Sequence, residues 1–524
     1  MSEPIIQWYP GHMARSKRNL EADLALVDML IEVVDARIPA ASRNPDLEPY
    51  LKNKCHLLLL NKRDLADPDS TQRWLSYYKQ QGYVPAAIIA ARKQGGKDML
   101  SAVEKAAAPL REKLARKNRL QRPVRAMVVG VPNCGKSTVI NALSDTADLR
   151  GLDAAVARYL RDNHVHGASL AIMRRDSLVY AKGYGEADKG VSVAPNTLFR
   201  LASVSKLVTA TGLMVLVDRG SLSLDDKVFG PEGILTEYNG CYRDKRYERI
   251  TVEHLLRHEG GFSSRVPDPM FSTRTLMQQN HWSLPPTPDV LLKAVLRQSL
   301  AYAPGTTPQY SNLGYLILTL VIEKVTGQPY EEWMQENVLE PAGCHEFHLA
   351  RNFYEGKYPT ETRYYLPSNE KAVPCYDNSG EMVERCYGGN DIHGLLGAGA
   401  WVASIPELMK LVASIDGRSE VPDIISYDRV AEMTAWFDEQ TYSLGWNDTK
   451  ETGEWTRTGS FSGTSALVKY YPDGECWIMV LNTSTYRGNR QSSQTGLLFH
   501  DLRRDYSPRL PHRDFFFADA QKAR

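Results

Sequence analysis

Apolar and polar positions along the chain follow two different regimes that meet near residue 150. Before that point lie three short apolar runs, VDMLIEVVDA (27–36), CHLLLLNK (55–62) and YVPAAIIAA (83–91), separated by stretches of helical character. Short runs that are apolar at nearly every position read as strands buried on both faces, the pattern of a parallel sheet. A helix rich in Ala and Lys (98–117) leads to a fourth run, VRAMVVG (124–130), and the alternation predicts an α/β layer fold. Beyond residue 150, an amphipathic helix, LDAAVARYLRDN (152–163), precedes GASLAIMRRDSLVYAKGYGEAD, which reads as two strands around a polar turn at Arg174–Ser177. Mostly helical segments follow, and strands return at TSALVKYYP (464–472) and CWIMVLNTS (476–484). Strands first, helices in the middle and strands last predict an α+β fold: an antiparallel sheet closed by the two chain ends around a helical insert.

Composition supports two pieces. The 524 residues are 43% hydrophobic, enough for more than one core. The net charge of +1 conceals an asymmetry: residues 1–144 carry 23 Lys and Arg against 14 Asp and Glu, whereas the rest carries 40 against 48. The basic piece suits RNA or another polyanion, or is simply a solvated surface, and Arg111–Arg125, with seven Lys or Arg and one Glu, reads as an RNA contact or as a solvated helix end and linker. MSEPIIQWYPGHM has no basic region leading into an apolar run, and no stretch of about 18 apolar residues occurs anywhere. A cytoplasmic location, with no membrane contact, is therefore expected. Seven cysteines lie without C-x-x-C pairs or zinc-like spacing. Cys375 and Cys386 could bridge a hairpin, but reduced thiols fit a cytoplasmic protein better.

The fourth apolar run ends in GVPNCGKS (130–137) and opens a helix. Glycines there let backbone amides wrap phosphates, and the helix N-terminus favours negative charge. Asn133, Gly135, Lys136, Ser137 and Thr138 form this loop, with Lys136 reaching the β- and γ-phosphates and Ser137 holding Mg²⁺. Asn61-Lys62-Arg63-Asp64 closes the second run, and an N-K-x-D there presents a carboxylate that accepts both N–H groups of a guanine edge. N-K-x-D comes before the phosphate loop, the reverse of the ordinary order. Together with QWYPGHMARSKRNL (7–20) and DARIPAASRNP (35–45), residues 5–144 resemble the circularly permuted GTPases of ribosome assembly. The resemblance implies Asn61 and Asp64 for guanine, the segment around Ala90 and Ala91 for the base, GTP or GDP with Mg²⁺ as ligands, and contact with ribosomal RNA. Ala90-Ala91-Arg92 stands where the family has Ser-Ala-Lys. The family's switch threonine, its last two strands, D-T-P-G and its RNA-binding C-terminal part are not found. Asp148-Leu-Arg-Gly151 matches D-x-x-G, but a helix rising about 1.5 Å per residue carries it away from the phosphates. A truncated module that binds nucleotide at most weakly, and does not turn over GTP, is expected.

Serine chemistry points to the second piece. S-x-x-K occurs at Ser76/Lys79, Ser203/Lys206 and Ser368/Lys371, but only Ser203 starts a long apolar helix. Positions i and i+3 share a helix face, so the Lys206 amine lies beside the Ser203 hydroxyl and, once buried, can take its proton. Tyr310-Ser311-Asn312 precedes another apolar helix, and Arg457-Thr458-Gly459 starts a strand. S-x-x-K, Y-x-N and a basic-Thr-Gly strand in this order resemble the serine β-lactamase and penicillin-binding-protein superfamily, in its class C-like branch with family VIII esterases and D-aminopeptidases. ITVEHLLRHEGGF (250–262) and GLLGAGAWVASIPELMKLV (394–412) add to the likeness. The resemblance implies an acyl-enzyme mechanism without a cofactor. Ser203 would be the nucleophile, Lys206 its proton acceptor, Tyr310 a relay to the leaving group and Asn312 an orienting group. The backbone N–H groups of Ser203 and Ser460 would form the oxyanion hole.

Arg457 stands where the family has Lys or His, and a guanidinium grips carboxylates but cannot act as a base. A carboxylate-bearing acyl substrate recognised by Arg457 is expected, and so is a lowered Lys206 pKa if the two are near. The many Tyr and Trp residues between 235 and 390 are candidates for the cleft lining, or for packing. The chain is thus read as a truncated GTPase-like module (1–144), a junction (145–151), a serine β-lactamase-like hydrolase domain (152–505) and a tail (506–524). The expected activity is hydrolysis of an ester, a β-lactam or a peptide-like amide. Two rivals stand beside it: a GTP-binding regulatory or ribosome-associated protein whose second domain only binds ligand, and a natural or artificial fusion without a joint function.

Overall fold

The computed structural model describes residues 27–43, 54–90, 99, 101–108, 110, 126–131, 134–136, 138–139, 149–263, 267–367, 369–484, 489–511 and 514–516. The chain divides into two compact units, Met1–Asp148 with Arg509–Arg513, and Leu149–Pro508 with Asp514–Arg524.

In the first unit the four apolar runs form β1 (Met29–Asp35), β2 (Cys55–Asn61), β3 (Val84–Ala87) and β4 (Ala126–Val129). They make one parallel sheet in the order β3-β2-β1-β4, as the nearly continuous apolar patterns predict. Met29, Leu30, Val33 and Val34 of β1 and Leu57 to Leu60 of β2 are fully buried on both faces. Register pairs Asp35 with Asn61, so both strands deliver polar residues to their carboxyl ends, where open parallel sheets hold ligands. Helix α1 (Pro68–Gln80) starts at Asp67, whose side chain accepts the Ser70 N–H at 2.8 Å, with proline at the first turn. Ser76 and Lys79 lie exposed on this helix, which removes their S-x-x-K from consideration. Residues 99, 101–108 and 110 are helical, and β4 is an edge of the four described strands.

The second unit is built on a seven-stranded sheet. Its strands are β5 (Gly167–Arg174), β6 (Ser177–Asp188), β7 (Val191–Ser192), β8 (Asp448–Thr449), β9 (Trp455–Phe461), β10 (Thr464–Tyr470) and β11 (Glu475–Leu481), in the order β8-β9-β10-β11-β5-β6-β7. Pairing is antiparallel throughout, and β11 against β5 joins the two ends of the domain. Helices α2 (Arg150–Asp162), α3 (Ser205–Asp218), α4 (Asn312–Thr326), α5 (Ile405–Ala413) and α6 (Asn489–Tyr506) surround it. α2 and α6 pack together and against the sheet, and α5 packs on β5 and β11. Twelve of the fourteen α3 residues are buried, so this helix is apolar all round because it runs through the core. All seven cysteines are free thiols, Cys375 and Cys386 included.

The β5–β6 turn places Arg175 and Asp176 at φ 45° and 58°, the left-handed pair that two-residue hairpins require. Asp176 is buried there beside Asp416, which accepts a 2.6 Å bond from the Tyr470 hydroxyl. Burial first, and then the Asp416 charge, push the Asp176 carboxyl above the usual carboxylate range. A carboxyl raised in the folded state contributes stability at acid pH and loses it as pH climbs from about 4 through the raised value. Asn tolerates φ > 0, so Asp176→Asn is expected to flatten the pH dependence of stability. It should add about 1–3 kcal/mol at mildly alkaline pH and little at pH 5. Urea titrations at several pH values check this; parallel curves for the two proteins would refute it.

Candidate active site

Ser203 sits in a turn of 3₁₀ helix (Ala202–Val204) that runs into α3, and its neighbour Ala202 has φ 48°. A non-glycine residue at positive φ is strained and marks a backbone held by its surroundings. Here the holding part is β9. A Cβ on Gly459 would meet the Leu201 carbonyl oxygen at 2.3 Å and the Ser203 nitrogen at 3.1 Å. Only glycine lets the strand press so closely on the Ser203 turn.

Lys206, one turn along α3, has no exposed surface. Its Nζ donates to Ser203 Oγ at 3.2 Å, to Asn312 Oδ1 at 2.6 Å and to the Ala398 carbonyl at 2.5 Å. Burial lowers its pKa, and the nearby Arg457 charge lowers it further against the opposing pull of Tyr310. Tyr310 donates its hydroxyl to Ser203 Oγ at 2.7 Å. Burial raises the Tyr310 pKa, but the charges of Lys206 and Arg457 outweigh it, and the net direction is down. Both groups flanking the serine hydroxyl are thus shifted toward the range in which they can exchange protons.

Ser311, between Tyr310 and Asn312, caps α4 by accepting the Gly314 N–H at 3.1 Å, which orients the residues on either side of it. Two residues absent from the sequence reading complete the arrangement. Asp268 accepts from Asn312 Nδ2 at 2.7 Å and so turns Asn312 Oδ1 toward Lys206. His258, buried at φ 60°, accepts the Ser311 N–H on Nδ1 at 3.1 Å, and its ring lies 4.5 Å from that of Tyr310. Burial, with Lys206 and Arg457 close by, holds His258 well below the usual histidine range, so it is neutral. Its only sequence signal was its place in ITVEHLLRHEGGF, and Asp268 had none.

A cleft of about 620 Å³ opens over these groups, lined by Ser203, Tyr310, Asn312 and Ser460, with Phe271 and Tyr442 as aromatic walls. Of the tyrosines between 235 and 390, Tyr310 lines the cleft, whereas several others are packing. Tyr238, Tyr242 and Tyr247 surround Phe229, and Tyr364 and Tyr387 cover the buried Arg200 guanidinium.

The first unit brings its own candidates together. Asn61 Oδ1 accepts the Ala90 N–H at 3.1 Å, and Asn61 Nδ2 donates to the Cys134 carbonyl at 3.1 Å, tying the segment at Ala90 to the glycine-bearing loop at Cys134 and Gly135. A Cβ on Gly135 would lie 2.3 Å from Asn61 Nδ2, so the glycine is required by this lock. Lys62 pairs with Asp35 at 3.0 Å, Lys136 Nζ donates to the Val131 carbonyl at 2.8 Å, and Asp64 is exposed in a 3₁₀ turn. Thr138 lies in the helix that follows the loop. Asn133, Ser137, Ala91, Arg92, Asp148, Ser368 and the basic run 111–125 lie outside the described residues. Among the described residues no cluster of His, Cys, Asp and Glu could hold a metal ion, and no helix is long and apolar enough to cross a membrane.

The family model for beta-lactamase matches residues 152–500. The chain belongs to the beta-lactamase family. Two solved structures share the fold of this beta-lactamase-family domain. One is the octameric penicillin-binding protein homologue from Pyrococcus abyssi, with TM-score 0.51 and 23% identity over 72% of this chain and 81% of that one. The other is the D-amino acid amidase from Ochrobactrum anthropi SV3, with TM-score 0.53 and 20% identity over 68% and 99%. The N-terminal segment is similar to ribosome biogenesis GTPase A of Priestia megaterium, 48% identical over 143 residues, 26% of this chain and 49% of that protein. The chain spans about half the length of the curated relatives it matches first.

In the beta-lactamase-family domain, one expectation needs correction. Arg457 is fully buried and does not line the cleft. Its Nε donates to the Ser203 carbonyl at 2.8 Å, and an Nη nitrogen lies 3.4 Å from the Tyr310 hydroxyl. Along β9, Arg457 alone of residues 456–461 is absent from the cleft lining; its side chain points inward between Thr456 and Thr458, which face the cleft, as strand alternation dictates. A substrate carboxylate cannot reach Arg457, whose charge acts on Lys206 and Tyr310. Arg457→Met is accordingly expected to move the acid limb of the pH–rate profile upward. On the reading of Lys206 and Tyr310 as proton acceptors, each must lose its proton to act, and losing the neighbouring cation raises both pKa values. Arg457→Lys should restore most of the shift. A selective KM increase for acidic substrates, with the limb unmoved, would return the residue to substrate binding.

Proposed function

We propose that the second domain is a serine hydrolase that works through an acyl-enzyme on an ester, a β-lactam or a peptide-like amide. The observation carrying this reading is the convergence of Lys206 Nζ and the Tyr310 hydroxyl on one oxygen, Ser203 Oγ, at 3.2 and 2.7 Å. Ser203 Oγ attacks the acyl carbon while its proton passes to Lys206. The carbonyl oxygen gains charge opposite the backbone N–H groups of Ser203 and Ser460, each worth roughly 3 kcal/mol in such a role. Tyr310 passes a proton to the leaving group and then helps draw one from the water that releases the acyl group. Asn312, held by Asp268, keeps Lys206 aimed at Ser203.

Ser203 should take up a fluorophosphonate or penicillin probe with the matching mass increase on its peptide, and Ser203→Ala should take up none. No adduct on Ser203 would leave a ligand-binding domain in place of an enzyme.

For the first unit we propose guanine-nucleotide binding without turnover. Asp64 would hold the guanine, Lys136 the phosphates and Ser137 the Mg²⁺, and the buried Asn61 lock fits such a site. Contact of this basic unit with RNA, and a cytoplasmic setting, belong to the same proposal and rest on the likeness of the N-terminal segment to the GTPase. Mant-GDP titration, with Lys136→Ala as control, tests the nucleotide site: equal affinity in both proteins would defeat it.

A further inference from the structure

The cleft above Ser203 is lined by aromatic, hydroxyl and amide side chains and, among its described lining residues, by a single charged group, Lys469. Resting on the acyl-hydrolase reading above, we propose that Lys469 is the subsite for a carboxylate on the substrate. Arg457 is buried behind the nucleophile and cannot fill that role.

The register of the sheet places Lys469. β9 and β10 pair Ser460 with Ser465, Thr458 with Leu467 and Thr456 with Lys469, and all but Ser465 line the cleft. Ser460 marks the reaction end, next to Gly459, which packs on the Ser203 turn. Lys469 stands two rungs further on, four residues along the strand, or roughly 13 Å at about 3.3 Å per residue. Its flexible four-carbon stem can bring the ammonium several ångströms back toward Ser203. A carboxylate held there would lie on the order of 10 Å from the attacked carbonyl, two to three residues of an extended chain.

The charge balance favours an anion. Lys469 Nζ is 3.3 Å from Glu454 Oε2, and the same carboxylate is 3.9 Å from Lys450 Nζ. One glutamate thus serves two lysines, and Glu454 is not among the residues lining the cleft. The Lys469 side chain keeps 24% of its surface exposed, enough to take another partner. Thr456 opposite it and Asn447 beside the cleft offer further polar contacts at the same end. The substrate class this selects is an acyl compound or short peptide-like amide carrying an anionic group remote from the scissile bond.

Nitrophenyl half-esters of dicarboxylic acids from succinate to sebacate, each with its neutral methyl ester as partner, test this on the full chain. We expect the ratio of kcat/KM for the anionic over the neutral ester to peak at the longer acids. Lys469→Met should lower that ratio about ten- to a hundredfold, mainly through KM, and Lys469→Arg should keep it. Direct binding of suberate to the Ser203→Ala protein, followed by calorimetry, should weaken by a similar factor in the double variant. A ratio unchanged by Lys469→Met, or suberate binding indifferent to it, would overturn the proposal. Because the binding arm needs no turnover, an inactive protein that still binds suberate through Lys469 would fail as a hydrolase but not at this subsite.

Discussion

Lys206→Met is expected to slow acylation of Ser203 by about 10²- to 10⁴-fold, the range covered by a positioned general base. Lys206 has no exposed surface and gives its three donors to Ser203 Oγ, Asn312 Oδ1 and the Ala398 carbonyl. Methionine fills similar volume without a charge, so the core around α3 keeps its packing while the serine loses its proton acceptor. Tyr310 would remain at hydrogen-bond distance, but its pKa is held down chiefly by Lys206, so the variant should also lose the second group's activation. The measurement is the rate of probe labelling at Ser203, with Ser203→Ala as the floor. Labelling at the parental rate would show that Tyr310 alone is the base, and would exchange the two roles.

Gly459→Ala is expected to cost about 10²- to 10³-fold in kcat, as large as losing an oxyanion donor. Nothing polar is removed. The added Cβ would have to stand 2.3 Å from the Leu201 carbonyl oxygen, so either β9 or the strained Ala202–Val204 turn must move. Either shift separates the Ser460 N–H from the position of the developing charge, and a displacement near 1 Å suffices for about a hundredfold loss. Probe labelling should slow in parallel while the circular-dichroism spectrum keeps its shape. Turnover within a factor of three of the parent would mean that the strand does not contribute to charge stabilisation.

Much of this site was legible beforehand because its signals are local. Ser203 and Lys206 are one helical turn apart, and an apolar helix after Ser203 separated that pair from the ones at Ser76 and Ser368. Tyr310 and Asn312 flank a helix cap, and the nearly continuous apolar runs of β1 and β2 announced a parallel sheet. Asp268 and His258 were not legible. Each acts through a contact with the Tyr310–Asn312 segment 44 and 53 positions away, and neither sits in a pattern that betrays its partner. Arg457 was found, but its role was misjudged. Residue type announced a carboxylate binder, whereas its inward place on β9 made it a buried charge beside Lys206 and Tyr310.

The sequence by itself determined the two units, the parallel and antiparallel sheets, and the S-x-x-K, Y-x-N and Arg-Thr-Gly segments in their order, because periodicity, caps and short spacings act over a few residues. Tertiary structure decided that Arg457 turns away from the cleft, that Lys469 is the cation among its described lining residues, and how Asn61 joins the loop at Cys134 to Ala90. Those outcomes depend on strand register and burial. Both are set by packing between segments far apart in the chain, and a one-residue change of register would have reversed them.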